Sequence, residues 1–209
     1  MTSILKADEI QDSSGNLIIK EVANAITIGA SGDTVTVPAG ATLNVAGTLQ
    51  SGGSAITQGI TQAQQWRITA NATGAQSPLT ANWEKADTDG AGSIGSDMTQ
   101  SSGVFTFPST GIWYISFQCS CEGATSNYIN VVIQTTTDNA SYGSAAEGYN
   151  LLPNTSSYMS TTVDFIFDVT NTSNDKVRFT VAPEAGAGIT MGDTGNHRTG
   201  ATFIRLGNT

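Results

Sequence analysis

Apolar residues alternate with small or polar ones through most of this chain, and no stretch of ten residues carries helical periodicity. Residues 25–28, 34–37 and 42–45 each place a branched apolar side chain at every second position, which predicts half-buried strands. Turn chemistry separates them at residues 29–33, 38–41 and 46–47, rich in Gly, Ala, Ser and Pro. Ile26, Val35, Leu43 and Leu49 thereby recur every six to nine residues. A stripe this thin is not stable alone. Wound with two copies of itself, it makes a triangular β shaft whose stripes meet on the axis. The competing reading is a flexible arm with extended spots.

The pattern changes at Trp66, because no aromatic residue precedes it. Residues 51–54 have linker composition, and residues 61–65 read as a short helical turn. The chain therefore divides into a segment at 1–20, a β-rich shaft and linker at 21–63, and a head at 64–209. The head reads as roughly eight to ten strands. Residues 66–70 open it, and residues 104–107 lead through Pro108 and Gly111 into the clearest strand, 112–121. There Trp113, Ile115, Phe117, Cys119 and Cys121 share one face, and Tyr114, Ser116, Gln118 and Ser120 the other. Residues 128–135 form another strand. Val163, Phe165, Phe167 and Val169 point inward along 161–169, with Asp164 and Asp168 outward. Val177, Phe179 and Val181 repeat the pattern, and residues 201–206 close the chain. An all-β sandwich follows. Residues 135–160 form the longest stretch without clear alternation, a loop holding Tyr142, Tyr149 and Tyr158. Tyrosine offers flat, partly polar contact surface, so these three are the candidate ligand or receptor contacts.

Composition narrows the function. Charged residues make up 12% of the chain, with eight Lys and Arg and a net charge of −9, so no surface is fitted to neutralise phosphates. Nucleic acid is excluded as a partner. No apolar run approaches the roughly 20 residues of a membrane helix. The first residues lack the basic start and apolar core of a signal peptide, which predicts assembly in a cytoplasm. Cys119 and Cys121 sit two apart on one strand face, about 6.6 Å between positions, and read as buried free thiols.

Two stretches resemble known families. Residues 104–117, with Phe105 or Phe107, Gly111 and Trp113 in order, resemble the aromatic–glycine–aromatic core of C1q and tumour-necrosis-factor-like domains. Residues 202–207 resemble that family's closing strand. Trp113 stands where the family has Tyr, and Ile115 where it has Phe. The resemblance covers residues 66–208 and implies a ten-strand jelly roll forming a compact homotrimer. Residues 3–15, followed by 26–38 and 40–45, resemble the opening of tail-fibre and other virion structural proteins of marine bacteriophages. This implies an all-β virion appendage: an N-terminal segment bound to other virion proteins through Ile4, Leu5 and Ile10, a trimeric β shaft, and a C1q/TNF-like jelly-roll head facing a host receptor or glycan. Two alternatives stay open, a capsid decoration that stabilises the particle and a secreted C1q-like recognition ligand.

Catalytic and metal chemistry find weak footholds. His197 is the sole histidine; Asp193 is near enough in sequence to orient it, but no nucleophile elbow accompanies them. The acid pairs Glu84 with Asp87, Asp138 with Glu147 and Asp164 with Asp168 are the candidates for glycoside cleavage, and nothing in the sequence marks one acid as perturbed. The expectation is therefore a non-enzyme without catalytic residues. Residues 87–97 look like a calcium loop in which Asp87, Asp89 and Asp97 would be ligands. The terminal glutamate and flanking helices of an EF-hand are absent, and an ordinary polar loop is the competing reading. No other cofactor is expected.

Overall fold

A computed structural model describes residues 9–23, 25–51, 54–55, 59–80, 82–123, 127–151, 154, 157–184 and 188–209. Every regular element among them is a strand. The chain divides into two compact units, Met1–Ile56 and Thr57–Thr209.

In the first unit β1 (Glu9–Gln11), β2 (Leu17–Val22) and β3 (Ala25–Ile28) form an antiparallel sheet in that order. Asp12 fixes the first turn by accepting hydrogen bonds from the backbone N–H of Ser14 and Asn16 and from the Asn16 amide. The strand predicted at residues 25–28 is present. Those predicted at 34–37 and 42–45 are not, because alternation assigns side chains to faces but supplies no ladder partner within one chain. Two strands instead occupy residues 9–22, largely within the segment expected to dock. A two-residue hairpin, β4 (Gln50–Ser51) with β5 (Ser54–Ala55), ends the unit. Among its described residues none is buried: Ile26 is 70% exposed and Leu43 66%.

The second unit begins with β6 (Ala63–Ile68), β7 (Ala72–Thr73), β8 (Trp83–Lys85), β9 (Thr99–Ser101) and β10 (Val104–Thr106). The long strands β11 (Gly111–Glu122), β12 (Tyr128–Thr136), β13 (Gly143–Leu151), β14 (Tyr158–Val169) and β15 (Lys176–Pro183) follow, then β16 (Ile189–Thr190) and β17 (Gly200–Gly207). One sheet runs β13-β12-β15-β10-β9. The other runs β14-β11-β17-β6-β8, with β16 continuing beside the far end of β11 and β7 beside β16. All pairings are antiparallel, and the two sheets face each other as a sandwich.

Two expectations are corrected here. Residues 61–65 are not a helical turn, because β6 already runs from Ala63; Gln64 points inward and hides the alternation. Its buried carboxamide oxygen accepts from the Trp66 indole at 2.8 Å and from Met98 N at 3.0 Å. Residues 135–160 are not one loop, because β13 and the start of β14 lie within them. The inward positions of β13 are Ala146, Gly148 and Asn150, too small or polar to register as an apolar stripe. A Cβ on Gly148 would stand 2.8 Å from Val163 Cγ1, so β13 packs closely on β14 across the sandwich.

All seven phenylalanines and all three tryptophans join the core between the sheets. Phe105 is its centre, with ring centroids of Trp83 at 5.0 Å, Phe203 at 5.2 Å, Trp66 at 5.5 Å and Phe179 at 5.6 Å. Phe117 stacks on Phe179 at 4.5 Å, joining the two sheets. Cys119 and Cys121 are buried free thiols with Sγ atoms 3.4 Å apart; their mutual hydrogen bond and then burial push the Cys119 thiol well up. Gly111 opens β11 at φ 139°, and a Cβ there would collide with the Gly207 carbonyl and the Arg205 guanidinium.

Removing the Phe105 ring is expected to cost about 3–5 kcal/mol, the range for truncating a fully buried aromatic. Gly111→Ala is expected to cost at least about 1 kcal/mol, through its close approach to β17. Denaturant unfolding of the full chain carrying each substitution checks both.

Candidate functional site

Arg67 lies on β6 at the sheet surface, yet it is only 2% exposed, because two loops close over it. Its Nε donates to Glu84 Oε1 at 2.8 Å, Nη2 to Asp87 Oδ1 at 2.7 Å, and Nη1 to the Thr88 hydroxyl at 2.8 Å. That hydroxyl donates in turn to the Gly195 carbonyl at 3.1 Å. One guanidinium thereby ties the loop after β8 to the loop before β17. Its planar fork suits this divergent set of acceptors. Beside it lies an open cavity of about 290 Å³, with Gln65, Arg67, Asp89, Asn196 and His197 in its walls.

The three acids considered as calcium ligands are not gathered around one point. Asp87 is taken by Arg67, and Asp97 pairs with Lys85 at 2.7 Å, while Asp89 stands in the cavity wall. Among the described residues no group of three or more His, Cys, Asp or Glu is placed to hold a metal ion. Asp193 does not orient His197. Its carboxylate accepts from the backbone N–H of Gly195 and Asn196 and pairs with Arg198, and the two backbone bonds lower its pKa. His197 packs over Gly200, half-buried, with Nδ1 buried and without a hydrogen-bond partner. Burial, then the Arg67 charge, lowers its pKa.

In each of the other acid pairs at least one member is engaged. Glu84 and Asp87 share Arg67. Asp138 caps its own turn, held well below the usual carboxylate range by the Thr136 hydroxyl and the N–H groups of Ser141 and Ala140. Asp164 accepts from the Tyr114 hydroxyl at 2.7 Å, on the outward face of β14.

The three candidate tyrosines occupy three different places. Tyr142 carries the Arg178 guanidinium 3.9 Å above its ring, and Arg178 also donates to Gln134. Tyr149 projects from the outer face of β13, 59% exposed. Tyr158 projects from the outer face of β14, 67% exposed, and donates to Glu122 at 3.1 Å. Sequence reading missed Tyr128 on β12, whose ring meets that of Tyr149 edge to face at 5.5 Å. Its position opposite β13 could not be read while β13 itself was invisible. Ile10 lies on β1, 38% exposed, and Ile4 and Leu5 lie outside the described residues.

With this geometry described, solved structures give the fold a frame. Murine APRIL, crystallised at pH 5.0, aligns with 69% of this chain and 98% of its own length, with a TM-score of 0.52 and 13% identity. Eiger TNF from S. frugiperda aligns with 70% and 93%, with a TM-score of 0.50 and 11% identity. The globular domain of zebrafish complement 1qA aligns with 71% and 99%, at 0.45 and 15%. Identities this low speak for the fold alone: the head is a jelly-roll sandwich of the tumour-necrosis-factor kind. A comparison with protein-family models finds no match, and a comparison with curated proteins finds none either.

The His197 geometry makes stability depend on acid. An imidazole that binds its proton less readily folded than unfolded leaves the unfolded chain holding more protons, so stability rises with pH between the two values. Stability is expected to fall as pH drops below the unfolded value of about 6.5, levelling off below the folded one. Melting temperatures of wild type and His197→Gln between pH 7.5 and 5 check this, the variant losing less.

Proposed function

We propose that this chain is a non-enzymatic structural protein of a bacteriophage particle. It assembles as a homotrimeric fibre or appendage, held to other virion proteins by its N-terminal segment and presenting the jelly-roll head to a host surface. The observation that carries the reading is the exposed apolar stripe of the first unit. Ile26, Val35 and Leu43 are 70%, 63% and 66% exposed, and no described residue of 9–51 is buried. A single chain gains almost nothing from folding this unit, whereas three chains meeting along the stripe would gain about 25 cal/mol for each Å² removed from water. Folding and assembly are then one event.

The head offers a second contact surface. The outer face of β14, β11 and β17 carries Ile166 and Leu206, 59% and 51% exposed, among Ser116, Gln118, Thr162 and Thr202. A face poor in Lys and Arg, which mixes these groups with the acids Asp164 and Asp168, the former held by the Tyr114 hydroxyl, suits packing around a three-fold axis. The non-enzymatic part of the reading is supported by the occupied acids and by an Asp193 that serves its own loop.

The solution mass of the full chain is expected to be three times 21.6 kDa. A truncated chain starting at Gln64 is expected to stay trimeric through the head. Light scattering on both decides it; a monomeric full chain overturns the fibre reading. Antibody against the head is expected to label purified virions.

A further inference from the structure

The outer face of the β13-β12-β15 sheet, on the opposite side of the sandwich from the face of β14, β11 and β17, ends in a small platform. Tyr149 and Leu151 project from β13, 59% and 63% exposed, and Tyr128 projects beside them from β12 at 38%. In the ladder Tyr128 stands opposite Leu151, Asn130 opposite Tyr149, and Val132 opposite Glu147. The two tyrosine rings are inclined at 69° with centroids 5.5 Å apart, so they form a corner rather than a flat stack. The Tyr149 hydroxyl leans on Glu147 Oε2 at 3.4 Å, a long contact that leaves the carboxylate acceptor capacity to spare. The Asn130 side-chain nitrogen is buried and has no acceptor. A second carboxylate, Glu184, binds Asn127 N beside Tyr128.

We propose that this corner binds a neutral hexopyranose unit of a surface glycan, an assignment that rests on the reading of the head as an attachment module. A pyranose presents an apolar C–H face and a rim of hydroxyls. The C–H face matches an exposed tyrosine ring, which holds a large flat surface at little conformational cost. The hydroxyls match the remaining chemistry: they donate to the acceptor-only carboxylate of Glu147.

The same surface argues against other occupants. Neither β12 nor β13 contains a Lys or Arg, and the two on β15 stand at the opposite end, across from Thr136 and Gln134. A nucleotide could stack on the rings, but its phosphate would find only Glu147 and Glu184. Acidic sugars meet the same repulsion. A proline-rich peptide docks between aromatic ridges, whereas these rings meet at a corner.

The test uses the full chain on an array of immobilised neutral and acidic saccharides, followed by calorimetric titration with methyl hexopyranosides. Binding to neutral hexosides is expected. Tyr149→Ala is expected to weaken it about tenfold, Glu147→Gln severalfold, and Tyr149→Phe by no more than about twofold, since stacking is kept. Unchanged thermal unfolding of Tyr149→Ala shows that any loss is local. The assignment is overturned by sugar binding that ignores Tyr149→Ala and Glu147→Gln, by a preference for acidic sugars, or by capture of a proline-rich peptide with no sugar bound. Adsorption of the same proteins to host cells separates the two readings. Adsorption that Tyr149→Ala abolishes, with no sugar bound, ends the saccharide assignment and leaves attachment standing. Sugar binding without adsorption does the reverse.

Discussion

The head depends on its last strand being a middle one. β17 lies between β11 and β6, so residues 200–207 complete the ladders of strands that begin at residues 63 and 111. Phe203 on that strand meets Phe105, Phe107 and Phe179, and thereby joins its sheet to the facing one. The β14-β11 and β6-β8 pairs are joined into one sheet only when the end of the chain arrives. Gly111 and Gly200 let the neighbouring backbone approach at the two ends of this ladder. The closures are long in sequence, so the loop entropy of many residues is lost before the contacts repay it.

Aromatic residues divide by polarity across this frame. The ten rings without a hydroxyl lie in or against the core, and none of the five tyrosines joins it. The tyrosines stand on outer faces, where their hydroxyls reach Asp164, Glu147 and Glu122 or their ring carries Arg178. One class of side chain holds the sandwich together, and the other stays at its surface. The loops between strands are held separately. The buried Arg67 organises two of them, spending its charge on Glu84 and Asp87 and leaving no free acid pair in that cavity.

The N-terminal unit follows a different logic. Its sheet has no second layer, its apolar side chains stay in water, and aromatic rings are absent from its sequence. An antiparallel sheet can leave one face wet, but a single small layer with both faces wet has little to hold it. On the proposed reading, a partner copy would supply what the chain lacks and tie the stability of this unit to assembly.

The sequence by itself determined the all-β class, the inward faces of β11, β14 and β15, the buried thiols and the start of the aromatic-rich head near Trp66. Period-2 alternation of Trp113, Ile115 and Phe117, and of Val163, Phe165 and Phe167, reports a face directly, because a pleated strand sends alternate side chains to opposite sides. Tertiary structure alone decided the rest. β13 was illegible because its inward residues are Ala, Gly and Asn, chosen for close approach to β14 rather than for hydrophobicity. The true start of β6, at Ala63, was illegible because a buried glutamine, Gln64, occupies an inward position where the pattern leads one to expect an apolar residue. The acids at 87, 89 and 97 resemble a metal loop in sequence, but two cations outside that loop, Arg67 and Lys85, pair with two of the three. The Tyr128–Tyr149 corner needed the register of β12 against β13 before it existed at all. Local periodicity encodes which way a side chain points; which other side chain it meets is settled only when distant strands pair.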